Sequence, residues 1–272
     1  MQNVNMKIYN YIDGFQIRLY NNPIKKDYTK IEEETEKSST PEKENNPYPL
    51  SDEEIEDKKS RSLKSAKSRS INRIYEIARS NHWDWFITMT FDPAKVDSFN
   101  YNEVVKRLKR QIDYIRKTYA PNLKYIIIPE LHLSGRYHFH GMIADIGTIE
   151  MLDSGIRDKH GHKIYNIKQF KLGFTTASKI KDNARVSGYI SKYITNQVCV
   201  VSQGKKRYWH SKNLEEVKIA EHNIPQEEIE DFIESLGGQI VHVSKKRCIE
   251  AHRSVIYIEV KTKSENAEAC QV

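Results

Sequence analysis

The stretch Ile126-Ile-Ile-Pro-Glu-Leu-His-Leu-Ser-Gly-Arg-Tyr-His-Phe-His-Gly-Met-Ile143 decides the fold. Ser134-Gly135 is a turn pair, so Leu123 to Leu131 and Tyr137 to Ala144 are expected as the two strands of a hairpin. Successive strand side chains face opposite ways, which puts His138 and His140 on one face and sends Phe139 into the core. A three-residue turn over Ser134 to Arg136 would pair residue 132 with 138 and 130 with 140. That register gathers Glu130, His132, His138 and His140. Two imidazoles and a carboxylate with an open position suit a divalent cation that can also take a phosphate oxygen. A His-x-His on a strand is equally an ordinary surface pair; Glu130 in register is what raises the metal reading. His132 competes as a fourth ligand or as a group supporting the ligands.

Working outward, Trp85 to Phe91 (WFITMTF) alternates, with Thr88 and Thr90 on one face and Ile87, Met89 and Phe91 on the other. Asn102 to Tyr119 has the apolar spacing of an amphipathic helix, burying Val104, Val105, Leu108, Ile112 and Ile115. Leu172 to Ile180 reads as a further strand and Asn183 to Asn196 as a further helix. The order β-α-β-β-loop-β-α implies an α+β domain: one central antiparallel sheet with a ferredoxin- or RRM-like β-α-β-β core and helices on one side.

A second constellation is Gly188-Tyr-Ile-Ser-Lys-Tyr-Ile194. On a helix Tyr189 and Tyr193 share a face, with Lys192 beside them. Such tyrosines ordinarily pack on a sheet with their hydroxyls at the rim. Beside a cation-bound phosphate, however, a phenol is a nucleophile, and a basic neighbour favours its charged form. Tyr189, with Lys192 three residues on, ranks above Tyr193, which has Asn196 at that place. His160 and His162 sit in a Gly- and Lys-rich loop without an orienting strand and are assigned to solvent.

Charge is divided unevenly along the 272 residues. The overall balance is +7, but residues 31 to 57 alone hold −9, so the remainder carries +16. A surplus of that size suggests a polyanionic partner. Between Lys58 and Arg79 the basic residues include Lys58, Lys59, Arg61 and Lys64, while Ile71, Ile74, Tyr75 and Ala78 recur at helical spacing. This reads as a helix docked by one stripe with its basic face free for DNA. Mean hydropathy is −0.73 and no apolar run approaches the ~20 residues of a spanning helix. The expected location is therefore the cytoplasm, with no membrane partner. Cys199, Cys248 and Cys270 form no CxxC pair and are expected to be reduced. No phosphate-binding G-x-x-x-x-G-K-[ST] loop occurs.

RYHFHG is similar to the His-hydrophobic-His motif of the HUH endonucleases, and YISKYI resembles the Y-x-x-K nucleophile motif of rolling-circle replication initiators. WFITMTF looks like their first motif. The likeness runs from about Lys58 through GFTTASKIKD to KKRYWHSKNL at Lys205 to Leu214, and is greatest to the replication-associated proteins of bacterial plasmids and small phages. It implies the HUH endonuclease fold and Mg²⁺ or Mn²⁺ held by Glu130, His138 and His140. It further implies attack by Tyr189 on single-stranded origin DNA at a hairpin, with Tyr193 as a possible second nucleophile. A 5′-phosphotyrosine and a free 3′-OH would result, and a host helicase and polymerase would be partners. Thr88, Thr90 and the basic helix are the expected DNA contacts. A conjugative relaxase or a single-strand transposase would share this chemistry. A non-catalytic single-strand-binding module is the alternative from another class.

The expected organisation is thus a strand segment at 1–30, with Phe15 to Tyr20 as its strand, then an acidic disordered linker at 31–57 and a basic helix at 58–82. The catalytic domain follows at 83–213, then an α/β extension of its core at 214–263 and a disordered tail at 264–272. Within the extension, helices are expected at 214–221 and 226–236 and strands at 239–243 and 254–260.

Overall fold

The computed structural model describes residues 2–26, 51–194, 198, 202, 206–248 and 253–262. In chain order its elements are β1 (Gln2–Tyr11), β2 (Gly14–Lys26), α1 (Asp52–Arg79), β3 (Trp85–Phe91), α2 (Tyr101–Thr118), β4 (Lys124–Leu131), β5 (Tyr137–Ala144), β6 (Met151–Arg157) and β7 (Lys163–Ile167). They continue with β8 (Gly173–Lys179), α3 (Asn183–Ile190), β9 (Trp209–His210), β10 (Lys218–His222), α4 (Ile229–Ser235), β11 (Gln239–Cys248) and β12 (Arg253–Lys261). The protein is α+β, with two antiparallel sheets and four α-helices among the described residues, an arrangement compatible with the HUH-type fold. None of these helices is long and apolar enough to cross a membrane.

The chain forms two compact units, one of residues 51–216 and one combining 1–50 with 217–272. In the first, seven strands run β6-β7-β8-β3-β5-β4-β9. Ile87, Met89, Phe91, Ile127 and Phe139 meet Val104, Leu108 and Ile115 of α2 on one face. On the other, Ile126, Ile128 and Met142 meet Ile74 and Ile77 of α1 and Ile190 of α3. Helices therefore lie on both sides of the sheet, not on one. The uninterrupted run Ile126-Ile127-Ile128 is the local reason: all three are buried, so both faces of β4 need cover. Burying each such side chain contributes about 1.5–3 kcal/mol.

Local chemistry sets the ends of the elements. Ser51 and Glu54 form a reciprocal capping box that starts α1 at Asp52, so residues 52–57, expected in the acidic linker, are helical. Residues 31–50 of that linker lie outside the described residues, as does the tail at 264–272. Asn100 caps α2 by accepting from the amides of Asn102 and Glu103. Pro129 is tolerated in β4 because β9 pairs only with Ile126 and Ile127, leaving that stretch at the sheet edge.

The β4–β5 hairpin has a longer turn than the three residues expected. Leu131 pairs with Tyr137, Glu130 with His138 and Ile128 with His140. The register is two residues from the expected one, which preserves the faces but moves His132 off the strand. Gly135 takes φ +80 at the turn, a conformation that a side chain disfavours. Gly141 matters differently: a Cβ there would lie 2.8 Å from the Ile126 carbonyl oxygen, so the residue after His140 must be bare for β4 to approach. Two strands absent from the sequence reading, β6 and β7, flank the loop carrying His160 and His162 and extend the sheet. The helix expected over 183–196 stops at Ile190 and tightens into a 3₁₀ turn at Ser191–Tyr193.

The second unit is a five-stranded sheet ordered β10-β1-β2-β12-β11. Met6, Ile8, Phe15, Ile17, Ile258 and Val260 form its core, against which Phe232 and Ile233 of α4 pack. The segment expected to extend the catalytic core thus pairs instead with the N-terminal strands, and residues 218–222, expected in a helix, are the strand β10. Its strands are longer than expected, and Phe15 to Tyr20 is the centre of β2, which pairs with β1.

Candidate active site

Four neighbouring strands, β8, β3, β5 and β4, carry the polar row, because their even-numbered residues face the same side of the sheet. Thr88 pairs across strands with His140, and its Oγ1 lies 3.1 Å from His140 Nδ1. Thr90 Oγ1 lies 3.3 Å from His138 Nδ1. The two threonines expected to touch DNA therefore hold the inner nitrogens of the two imidazoles. A hydroxyl both donates and accepts, so it can steady either tautomer of each ring.

Glu130 Oε2 accepts from His140 Nε2 at 2.7 Å, while His138 Nε2 has no hydrogen-bond partner among the described residues. Burial is the main cause holding both imidazoles below the usual histidine range, with Glu130 opposing it at His140. Both rings are thus neutral near pH 7, the state a metal ligand requires. The donor set of Glu130, His138 and His140 fits a hard-to-borderline divalent cation chemically. Among the described residues no three His, Cys, Asp or Glu side chains are spaced for an ion as they stand, and Glu130 would have to release His140 to join one. His132 is held in the turn by Ser134, whose amide donates to its Nδ1 at 3.2 Å, and its ring stacks on His138 at 5.1 Å.

The tyrosines come to this row from α3 and the turn after it. The Tyr193 ring lies flat on the His140 ring, with centroids 3.6 Å apart and planes 13° apart. Its hydroxyl donates to the Tyr189 hydroxyl at 2.8 Å. Burial, followed by that donated bond and the nearby Tyr189 and Glu130, pushes the Tyr193 phenol well above the usual tyrosine range. Tyr189 is 45% exposed, against a half-buried Tyr193. Lys192 Nζ lies 5.4 Å from the Tyr189 ring centroid.

Phe86 joins the group unannounced, with its ring 5.5 Å from Tyr189 and 6.1 Å from His140. The alternation of WFITMTF already placed it on the face of Thr88 and Thr90; only the tyrosines' arrival shows its use. It walls the hydroxyl pair on one side. Beside Tyr189 a cavity of about 970 Å³ opens, lined also by Lys163, Lys179, Lys181, Arg185 and Lys192. His162 belongs to this wall, where its Nδ1 lies 3.1 Å from Asp158 Oδ2 and its Nε2 2.8 Å from Lys181 Nζ. The amide of His162, chief among several hydrogen bonds, holds the Asp158 carboxyl down to about 2. His160 and His162 are thus placed by a β6–β7 turn, apart from the Glu130 group.

Lys58, Lys59, Arg61 and Lys64 stand exposed on the first turns of α1, and Arg61 pairs with Asp57 at 3.6 Å. Sixteen residues of helix, about 24 Å, separate Lys58 from Ile74, where α1 is buried. Asn196, three residues after Tyr193, lies outside the described residues, as do Cys199 and Cys270.

No curated protein and no solved structure matches the chain. Residues 84–198, which carry Thr88, Glu130, His138, His140, Tyr189 and Tyr193, match a family model described as replication-associated protein of the ORF2 type, and at the family level the chain is therefore similar to replication-associated proteins.

Proposed function

We propose that the chain nicks and rejoins single-stranded DNA to initiate rolling-circle replication, with Tyr189 as the nucleophile. The observation that carries this reading is the contiguous set Tyr189, Tyr193, His140 and Glu130: an accessible phenol oxygen accepts a hydrogen bond from a second phenol stacked on the imidazole of a candidate ligand set.

Tyr189 Oη attacks the phosphorus of a backbone phosphate lying in the adjoining basic cavity. The new bond is Tyr189 O–P and the bond broken is P–O3′. The phenol proton leaves to solvent through the open side of the cavity, and the departing 3′ oxygen takes one up, so the step is proton-neutral. DNA remains on the enzyme as a 5′-phosphotyrosine, with a free 3′-OH able to prime synthesis. Rejoining reverses these bonds. A Mg²⁺ or Mn²⁺ ion held by Glu130, His138 and His140 would withdraw charge from the phosphate. Tyr193 donates toward the oxygen on which negative charge changes, and Lys192 supplies a positive charge nearby.

The choice between the two phenols follows from their surroundings. Tyr193 is disfavoured as an anion by burial and by its own donated bond, and its ring is engaged with His140. Tyr189 has the exposed edge and the cation.

The test is covalent capture. The full chain is incubated with Mn²⁺ and a 3′-labelled, randomised single-stranded DNA library, then denatured. A labelled protein band is expected, absent with Tyr189→Phe and with excess chelator, and peptide mapping should put the DNA on Tyr189. No adduct, or one mapped to Tyr193 alone, would overturn the assignment.

A further inference from the structure

A cavity of about 710 Å³ lies between α2 and the β4–β9 edge, among side chains on the sheet face away from His138 and His140. Its floor is apolar, formed by Leu108, Ile127 and Phe139, and Tyr125 and Trp209 supply aromatic walls. Strand β9 fixes Trp209 opposite Ile127, with the indole 5.9 Å from the Phe139 ring. Around this floor the lining includes Arg116 and Arg207, together with three lysines and a single carboxylate, Asp113. Tyr208 to Ser211 belong to the stretch from Lys205 to Leu214 that the nicking chemistry does not use.

The two arginines carry the argument. The Nε atoms of Arg116 and Arg207 are both buried, and neither has a hydrogen-bond partner among the described residues. A buried donor on a permanently charged group is costly to leave unmatched, and two at one cavity call for an acceptor that is itself anionic. Phosphate is the oxyanion whose geometry suits guanidinium groups. An inorganic phosphate would leave the apolar floor and the indole uncovered, whereas a fatty acid would not use the aromatic walls. A planar base joined to a phosphate meets both requirements, and the volume suits a ligand of that size.

We propose that this cavity binds a nucleotide, with its base against Trp209 and the apolar floor and its phosphate on the Nε donors of Arg116 and Arg207. The nucleotide is either free or a unit of a single DNA strand. The site is separate from the tyrosines, and the proposal does not rest on the nicking reaction.

Calorimetric titration of the full chain with dTTP, with inorganic phosphate, and with dTTP in the presence of the oligonucleotide dT10 tests it. Saturable dTTP binding is expected, with inorganic phosphate binding far more weakly. Arg116→Gln and Arg207→Gln should each weaken dTTP binding about tenfold or more, with thermal unfolding midpoints confirming that both variants fold. Should one variant fail to fold, the other decides. Displacement of dTTP by dT10 assigns the site to the DNA strand, and its absence to a free nucleotide. The proposal is overturned if dTTP does not bind, if phosphate alone binds equally well, or if folded arginine variants bind as the wild type does.

Discussion

Replacing Tyr193 by Phe deletes one atom and leaves the ring that stacks on His140 at 3.6 Å. What disappears is the hydrogen bond donated to Tyr189 at 2.8 Å. Toward a neutral phenol that bond is worth about 1 kcal/mol, and toward an oxygen bearing charge about 1.5–3 kcal/mol. Only the difference between these acts on the rate, since catalysis depends on what strengthens between ground and transition state. A difference of about 1–2 kcal/mol corresponds to a five- to thirtyfold slower first nicking step. The assay is single-turnover cleavage of an oligonucleotide recovered by covalent capture, with saturating Mn²⁺ and quenching by denaturant. The amplitude of the adduct should be unchanged while its rate falls, and Tyr193→Leu, which also removes the stack, should be slower still. Unchanged single-turnover kinetics in Tyr193→Phe would refute the reasoning, because the donated bond would then contribute nothing to charge at Tyr189. Loss of all adduct would refute it from the other side, making Tyr193 the nucleophile.

Thr88→Val keeps the shape of the side chain but removes the hydroxyl beside His140 Nδ1. Mn²⁺ affinity by calorimetry should fall about 10- to 100-fold, and unaltered affinity would mean that Thr88 does not orient the ring. Converting Lys58, Lys59, Arg61 and Lys64 to Gln should leave nicking of a short single strand intact but flatten the salt dependence of duplex binding. Each lost phosphate contact should reduce the slope of log K on log salt by about 0.9, and an unchanged slope would assign these residues to solvation alone. Ile74 is fully buried between α1 and the sheet, so Ile74→Ala should destabilise the protein by about 2–5 kcal/mol in urea unfolding; a loss under about 1 kcal/mol would mean that α1 is not held through this residue.

Much of the site was legible because it depends on period-two alternation. His138, His140, Thr88, Thr90 and Phe86 share a face by parity alone, and a two-residue error in hairpin register could not move Glu130 to the other face. Turn length lies beyond such a pattern: the hairpin closes over His132 to Arg136, and that loop decides that Glu130 stands opposite His138 while reaching diagonally to His140. The spacing of Tyr189 and Tyr193 put both on one helical face, but the 3₁₀ turn at Ser191 and the stacking surface of His140 decided which is buried and which donates. Burial differs between two identical side chains only once the sheet and helix meet. The C-terminal segment misled for a related reason. Its strands were readable, yet a strand's sequence does not name its partner, and Val255 to Lys261 pairs with Gly14 to Tyr20, more than two hundred residues away. Local sequence determined element type and facing here, because those depend on backbone periodicity. Partnering, turn closure and the environment of each phenol were decided by tertiary structure, because they depend on which surfaces remain to be covered.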